Sequence, residues 1–118
     1  MATNKIALRT ENLEGRTIVH IGGEFDLEAA GDVRAALEPL IERTEAGLTL
    51  NLRELKYIDS TGIGILIGVV KARHSRSAAF DVEEVPPHIR KLFDMTGISP
   101  FLAKSEPKSS PVGIKGEE

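Results

Sequence analysis

Asp59-Ser60-Thr61-Gly62 stands between a segment typical of a buried strand and the apolar run of residues 62–70. Aspartate and serine are common helix N-caps, so the tetrapeptide predicts that a strand ends and a helix begins here. The N–H groups and the positive dipole end of a helix N-terminus also accept a phosphate dianion without unfolding the helix. Ser60 is therefore a candidate phosphorylation site, although the tetrapeptide taken alone favours ordinary capping.

The sequence before this stretch predicts a hairpin followed by a helix. Apolar residues alternate with polar ones over residues 6–8, a turn is expected over 11–15, and residues 17–21 form a β-branched strand. Asp26 is expected to cap a helix that runs to about Arg43, because apolar residues recur there at helical spacing. Alternating leucines then predict a third strand over 48–52.

The sequence after the tetrapeptide predicts two helices with a strand between them. The apolar helix is expected to end near Ser75, and residues 78–82 are typical of a strand. Pro86 and Pro87 are suited to the first turn of a third helix, which Gly97 is expected to stop. A short last strand is expected over residues 101–102.

The order of these elements predicts the fold class and the domain limits. Strands that alternate with helices after a hairpin predict an α/β (α+β) fold, a mixed sheet with helices packed against it. At 118 residues the chain is expected to hold one domain. That domain is expected to span residues 1–104, and the polar composition of residues 105–118 predicts a disordered tail.

Composition and charge argue against several classes of function. Acidic and basic residues are interspersed and give a net charge of −3, which does not favour a nucleic-acid partner. The chain has no cysteine, so no disulfide and no thiolate metal site can form. The first residues lack the apolar core of a signal peptide, and the run 62–70 is too short to span a bilayer. We therefore expect a cytoplasmic protein without direct membrane insertion.

The second predicted helix is apolar on two sides. At 100° per residue one face is expected to pack on the core: Ile63, Leu66, Ile67 and Val70. The opposite face is expected to meet solvent in a monomer: Ile65, Gly68, Val69 and Ala72. A helix that is apolar all round is either fully buried or binds a partner, and in so small a domain we favour partner binding through this second face.

No catalytic or metal-binding pattern is present. The glycines at 62, 64 and 68 match neither a Walker A motif nor G-x-G-x-x-G, and they are expected to permit a tight turn and close packing. No G-x-S-x-G elbow surrounds Ser60. The histidines are scattered, at His20, His74 and His88. We therefore expect no enzyme activity, no metal and no cofactor.

Two carboxylates are expected beside the serine. If the second and third predicted strands are neighbours, their C-terminal ends bring Asp26 close to Ser60, which Asp59 precedes directly. Carboxylates there would orient the serine hydroxyl and would repel an added phosphate.

Three motifs, taken together, resemble one family. They are Gly23-Glu24-Phe25-Asp26, the stretch from Tyr57 to Gly64 around Ser60, and Leu92-Phe93-Asp94-Met95-Thr96-Gly97-Ile98. Their order and spacing are similar to those of the STAS domain family, and more narrowly to the bacterial anti-sigma factor antagonists of the SpoIIAA and RsbV type. The resemblance covers roughly residues 5–104.

The resemblance implies a four- or five-stranded mixed sheet with helices largely on one face, and a partner-switching function. Proteins of this type bind an anti-sigma factor that is a GHKL-type serine kinase, and so release a sigma factor. The kinase uses ATP to phosphorylate the serine that matches Ser60, and a PP2C-type phosphatase resets it. Asp26, Asp59, Thr61 and Gly62 are then the surroundings of the phosphosite.

The resemblance leaves alternatives of other classes open. One is a scaffold subunit of a stressosome-like assembly, which would form a large particle, whereas an antagonist is expected as a monomer or weak dimer. Another is an accessory subunit of an ABC lipid transporter, which would co-purify with a membrane ATPase.

Overall fold

Eight elements form in the part of the chain that the structure, a computed structural model, describes, which is residues 5–97. In chain order they are β1 (Ile6–Leu13), β2 (Arg16–Phe25), α1 (Ala30–Ile41), β3 (Gly47–Asn51), β4 (Leu55–Ile58), α2 (Ser60–Ser75), β5 (Phe80–Glu83) and α3 (Pro87–Thr96). The predicted mixed α+β class is confirmed. The expected strand at 101–102 and the tail over 105–118 lie outside the described residues.

The sheet is built around β2. Strand β1 pairs with β2 antiparallel as the predicted hairpin, with Leu13 opposite Arg16, so the turn is shorter than the five residues expected. On its other side β2 pairs in parallel first with β3 and then with β4, and β5 pairs in parallel with β3. The strand order is β1-β2-β3-β5, with β4 beside the C-terminal part of β2.

The sequence predicts a strand directly before Asp59 but does not separate it from the leucine strand over 48–52; the structure shows that it is a strand of its own, β4. It has four residues, of which the first and last, Leu55 and Ile58, are buried and the two between are exposed. That pattern lacks the strict alternation that marks a half-buried strand. The strand forms because the end of β2 offers it backbone partners, past an irregularity in register between Gly23 and Glu24.

The core lies on one face of the sheet. Val19 of β2 and Leu50 of β3 are register partners, and because strand side chains alternate in direction they point to the same face. Both belong to a single apolar cluster to which all three helices contribute, with residues such as Val33, Leu66 and Phe93. The helices therefore pack on that face, as the resemblance implied.

Helix α1 departs from its predicted limits. It begins at Ala30 rather than directly after Asp26, and it ends at Ile41, close to the expected end at about Arg43. Its N-cap is Ala29, which provides no side-chain hydrogen bond, so the expectation that Asp26 caps α1 is wrong. The carboxylate of Asp26 instead accepts from the N–H of Ala29 at 3.2 Å and stabilises the turn before the helix.

The C-terminal end of α1 is capped from a distance by Arg73 of α2. The Arg73 side chain is fully buried (0% exposed), and its guanidinium donates five hydrogen bonds to backbone carbonyls. The acceptors are Leu40, Ile41, Arg43, Ala46 and Ala79. These carbonyls belong to the end of α1, the loop after it and the segment before β5, so one side chain joins three parts of the fold.

The other helices follow the prediction closely. Helix α2 begins at Ser60 with Asp59 as its N-cap and ends at Ser75, both as expected. Helix α3 begins at Pro87, and Gly97 ends it with a φ of 81°, a conformation that glycine adopts without strain. Within residues 5–97 no helix is long and apolar enough to cross a membrane.

Candidate functional site

The site forms where β2 and β4 end side by side. Phe25 and Ile58, the last residues of the two strands, are register partners, so Asp26 and Asp59 leave the sheet at the same edge. The N–H of Asp59 also donates to the carbonyl oxygen of Phe25 at 3.2 Å. We expected the end of β3 to lie beside the end of β2 and so to place Asp26 near Ser60, but the strand that ends there is β4.

Asp59 joins the start of α2 to the turn after β2. Its Oδ1 accepts from the N–H of Gly62 at 3.0 Å, which is the predicted N-cap hydrogen bond. Its Oδ2 accepts from the N–H of Leu27 at 3.2 Å, a contact across the site that the sequence did not indicate. Both carboxylate oxygens therefore hold backbone, and the geometry of one loop depends on the other.

Ser60 is the first residue of α2 and is exposed, whereas Thr61 is half-buried. At this position the N–H groups of the first turn have no partner within the helix, so the helix start favours an anion. Ser60 is therefore accessible to another protein and lies where added negative charge is tolerated by the fold.

Gly62 keeps α2 close to the two strand ends. It is buried, and a Cβ atom on it would lie 2.7 Å from Cγ1 of Ile58 and 2.7 Å from the carbonyl oxygen of Phe25. The expectation of close packing is confirmed for this glycine. It is wrong for Gly64 and Gly68, because a Cβ on either would meet nothing within 4 Å.

Asp26 is held by Lys5, which the sequence analysis did not single out. Nζ of Lys5 lies 2.7 Å from Oδ2 of Asp26, 3.0 Å from Oε1 of Glu28 and 3.8 Å from Oε1 of Glu24. The hydrogen bond from Lys5 holds the pKa of Asp26 below its ordinary value, against the opposing effect of burial. The carboxylates of Asp26 and Glu28 in turn raise the pKa of Lys5.

The surroundings of Ser60 are acidic. Four carboxylates lie at or just after the ends of β2 and β4, those of Glu24, Asp26, Glu28 and Asp59, and the ammonium of Lys5 contacts three of them. The described hydrogen bonds to Asp26 and Asp59 come from backbone N–H groups and Lys5, so their expected role in orienting the Ser60 hydroxyl stays a prediction.

The predicted outward face of α2 is partly wrong. Ile65 and Val69 are buried, with 9% and 3% of their surface exposed, because α1 packs against that side of the helix. Gly68 is exposed and Ala72 is half-buried, so these two remain on the surface. The surface that α2 offers beside Ser60 therefore runs through the exposed Gly64 and Gly68.

A shallow groove of about 310 Å³ lies between α1 and α2. Ile65 and Val69 form part of its lining from α2, and Leu37 and Ile41 from α1. Ile65 and Val69 therefore line a groove and do not form a free face of α2. Within residues 5–97 no group of three His, Asp or Glu side chains is placed to hold a metal ion.

Comparison with known proteins agrees with this architecture. A family model described as "Mlab, STAS domain" matches residues 8–103. The chain belongs to the STAS domain family. An anti-sigma-B factor antagonist of Bacillus subtilis (strain 168) is 35% identical to this STAS domain protein over 91 residues, which are 75% of this chain and 83% of that protein.

Solved structures show the same fold. The anti-sigma factor antagonist SpoIIAA in its unphosphorylated form aligns with a TM-score of 0.68 at 23% identity, over 80% of this chain and 84% of that one. SpoIIAA in its phosphorylated form aligns with a TM-score of 0.65 at 23% identity, over 80% and 87%. An anti-sigma factor antagonist from Mycobacterium paratuberculosis aligns with a TM-score of 0.72 at 22% identity, over 80% of each chain.

A simple signal would have located Lys5 in this STAS domain. The register of the β1–β2 hairpin places Ile6 opposite Gly23, so the preceding residue falls beside Glu24 and Asp26. If the hairpin turn is placed at Glu14-Gly15 and the residues of the two strands are paired outwards from it, Lys5 comes opposite Glu24. The exposed Leu27 carries no such signal, because its position depends on the hydrogen bond that its N–H donates to the carboxylate of Asp59.

Proposed function

We propose that this STAS domain protein is an anti-sigma factor antagonist. It binds an anti-sigma factor that is also a serine kinase, and phosphorylation of Ser60 by that kinase ends the binding. The observation that carries the proposal is the exposed Ser60 at the start of α2, set in an acidic surface that Asp59 and Lys5 hold in place. The name of the Bacillus subtilis relative supports the class of function.

The position of Ser60 suits a switch that changes charge and leaves the fold intact. A phosphate there adds about −1.5 to −2 charges at neutral pH. The helix dipole and the N–H groups of the first turn stabilise that charge, so α2 has no reason to unwind. The match of SpoIIAA to this fold in both its unphosphorylated and phosphorylated forms supports the same view.

The phosphate is proposed to weaken binding through its charge at the interface with the kinase. Glu24, Asp26 and Glu28 already make this surface negative, so a phosphate that is buried at the interface beside them faces acidic or apolar groups. A dianion that is buried there without a matched cation costs several kcal/mol, which corresponds to about a hundredfold or greater loss of affinity. Phosphorylation therefore releases the kinase.

The docking surface is proposed to run from Ser60 along the exposed side of α2. Gly64 and Gly68 are exposed and carry no side chain, so a partner's backbone can approach the helix closely there. Ala72 continues that surface, and the groove lined by Ile65 and Val69 borders it. These residues keep their proposed part in binding, with Ile65 and Val69 contributing from the groove.

The protein is proposed to act by binding and not by catalysis. ATP is used by the partner kinase, so the antagonist itself needs no cofactor. A PP2C-type phosphatase removes the phosphate and restores binding. The cycle is placed in the cytoplasm and needs no nucleic acid.

Intact-mass measurement after incubation with ATP and a candidate anti-sigma kinase of the source organism tests the proposal. We expect the mass to rise by one phosphate, and Ser60→Ala to abolish the gain. Ser75→Ala is the matched control, since Ser75 is also exposed and lies at the other end of α2. Phosphate on Thr61, or none with any anti-sigma kinase of that organism, overturns the proposal.

Binding measurements complete the test. Ser60→Ala is expected to bind the kinase in the presence of ATP without release, and Ser60→Asp to bind at least about tenfold more weakly. Equal affinity of the two variants would contradict the switch. A particle of many subunits, or co-purification with a membrane ATPase and no modification at Ser60, would favour the scaffold or the transporter subunit instead.

A further inference from the structure

Leu27 is an apolar side chain that the fold holds out into solvent. It lies in the turn between β2 and α1, and 71% of it is exposed. Among the described residues three other large apolar side chains are exposed, Leu13, Tyr57 and Met95, in the hairpin, β4 and α3. Single exposed apolar residues are common, so exposure alone decides nothing.

The turn that carries Leu27 is fastened from several sides. The N–H of Leu27 donates to Asp59 at 3.2 Å, and the N–H of Ala29 donates to both the carbonyl and the carboxylate of Asp26. Ala29, just beyond it, is buried. A turn with this many backbone hydrogen bonds presents its side chain in one place.

Lys5 contacts the residues on both sides of Leu27. Its ammonium contacts Asp26 at 2.7 Å and Glu28 at 3.0 Å, the residues immediately before and after Leu27. The backbone on either side of the leucine is thereby tied to the segment before β1. A turn whose backbone is already held loses little backbone entropy when a partner covers its side chain.

Leu27 is also joined to the phosphosite. The Asp59 carboxylate that accepts from Leu27 is the N-cap of α2, and Ser60 is the next residue. A protein that reaches the hydroxyl of Ser60 must therefore approach the Leu27 turn. The carboxylates of Glu24, Asp26 and Glu28 around the leucine, paired with one lysine, leave this rim negative.

We propose that Leu27 is an anchor that inserts into an apolar pocket of the anti-sigma kinase, and that basic side chains at the rim of that pocket meet Glu24 and Glu28. The inference rests on the proposed function and adds to it a second determinant of binding that is separate from the switch. Leu27 holds the kinase before phosphorylation and positions Ser60 for it, whereas the charge on Ser60 decides release.

The anchor makes two predictions about Leu27→Ala. The affinity for the kinase is expected to fall about tenfold to a hundredfold, which is the loss that truncation of a side chain filling a partner's pocket causes. In phosphorylation assays KM is expected to rise while kcat is kept, because the hydroxyl and the reacting groups are untouched. Leu27→Met is expected to restore most of the affinity, since methionine has similar volume and adapts to apolar pockets.

The experiment measures binding by titration calorimetry between the full chain and a purified anti-sigma kinase of the source organism, the one that modifies Ser60 in the mass assay. Met95→Ala is the matched control, because Met95 is 73% exposed and lies near the end of α3. Thermal unfolding should show that neither variant loses stability, since neither side chain is buried.

Each outcome separates the anchor from the switch. If the wild-type chain binds, an affinity that is lower in Leu27→Ala and unchanged in Met95→Ala supports the anchor. If the affinity of Leu27→Ala is within twofold of wild type, or if Met95→Ala lowers the affinity as much as Leu27→Ala does, the anchor is overturned and the switch is left intact. Failure of the wild-type chain to bind any anti-sigma kinase overturns the proposed function and the anchor with it.

Discussion

Replacement of Arg73 by methionine is expected to destabilise the fold strongly, although Arg73 lies outside the proposed site. Its two shortest hydrogen bonds run from Nη2 to Ala46 at 2.8 Å and to Ala79 at 2.7 Å. Nη1 divides its donation among three carbonyls at 3.0 to 3.3 Å, those of Leu40, Ile41 and Arg43. Methionine fills most of the same volume and removes every one of these donors.

The expected loss follows from two opposing contributions. Hydrogen bonds from a charged donor are worth about 1.5–3 kcal/mol each, so two short bonds and the divided one give roughly 4.5–9 kcal/mol. Against this, a buried guanidinium carries a desolvation cost of several kcal/mol, and burial, with a smaller effect of Arg76, lowers the pKa of Arg73. The net loss is expected to be about 3–5 kcal/mol, a large part of the 5–15 kcal/mol typical of a domain.

Urea unfolding followed by far-UV circular dichroism at neutral pH measures this loss. Arg76→Met is the control: Arg76 is exposed, its side chain donates one hydrogen bond to the carbonyl of Ala72 near the end of α2, and its replacement should change stability by about 0.5 kcal/mol or less. Arg73→Lys should fall between the two, because an ammonium keeps the charge but reaches fewer carbonyls. A loss below about 1 kcal/mol for Arg73→Met would refute the reasoning, since desolvation would then cancel the hydrogen bonds.

Two further predictions concern the site. Gly62→Ala is expected to lower the free energy of unfolding by about 1–3 kcal/mol, because its Cβ would meet Ile58 and Phe25. Gly68→Ala should raise it by about 0.5–1 kcal/mol, since its Cβ would enter open space. Urea unfolding measures both, and midpoints that shift in the same direction would contradict this. Lys5→Met is expected to raise the pKa of Asp26 towards its ordinary value. Because Lys5 lowers that pKa in the folded state, its stabilisation is full above the unfolded-state pKa of about 4 and is lost as the pH falls through the folded-state pKa. The difference in thermal stability between wild type and Lys5→Met should therefore shrink as the pH is lowered from neutrality into the acid range, and a difference that does not change with pH would show that Lys5 acts in another way.

The secondary structure was predictable wherever a local pattern was strong. Helix α2 begins and ends as expected, and its start is set by an entirely local interaction: the carboxylate of Asp59 accepts from the N–H of the residue three positions on. The stop of α3 at Gly97 is local for the same reason. That the strand before Asp59 is separate from β3 escaped prediction, because its four residues are set by pairing with β2, more than thirty positions away in the sequence.

The surface of α2 could not be predicted from periodicity. The helix is apolar on most of its circumference, so a helical wheel divides it into two faces without telling which one a neighbour covers. The packing of α1 buries Ile65 and Val69 and leaves Gly64 and Gly68 outside. Which residues a partner can touch is therefore a property of how the helices pack.

The sequence by itself determined the mixed α+β class, the placing of Ser60 at a capped helix start and the membership of the STAS family. Each of these depends on short-range patterns or on motifs that can be read along the chain. Only the tertiary structure decided that Lys5 holds Asp26, that Asp59 holds Leu27 and that Arg73 caps α1. The physical reason is the same in each case: a charged side chain acts on whichever polar groups lie within about 3 Å of it, and the fold chooses those groups from distant parts of the sequence.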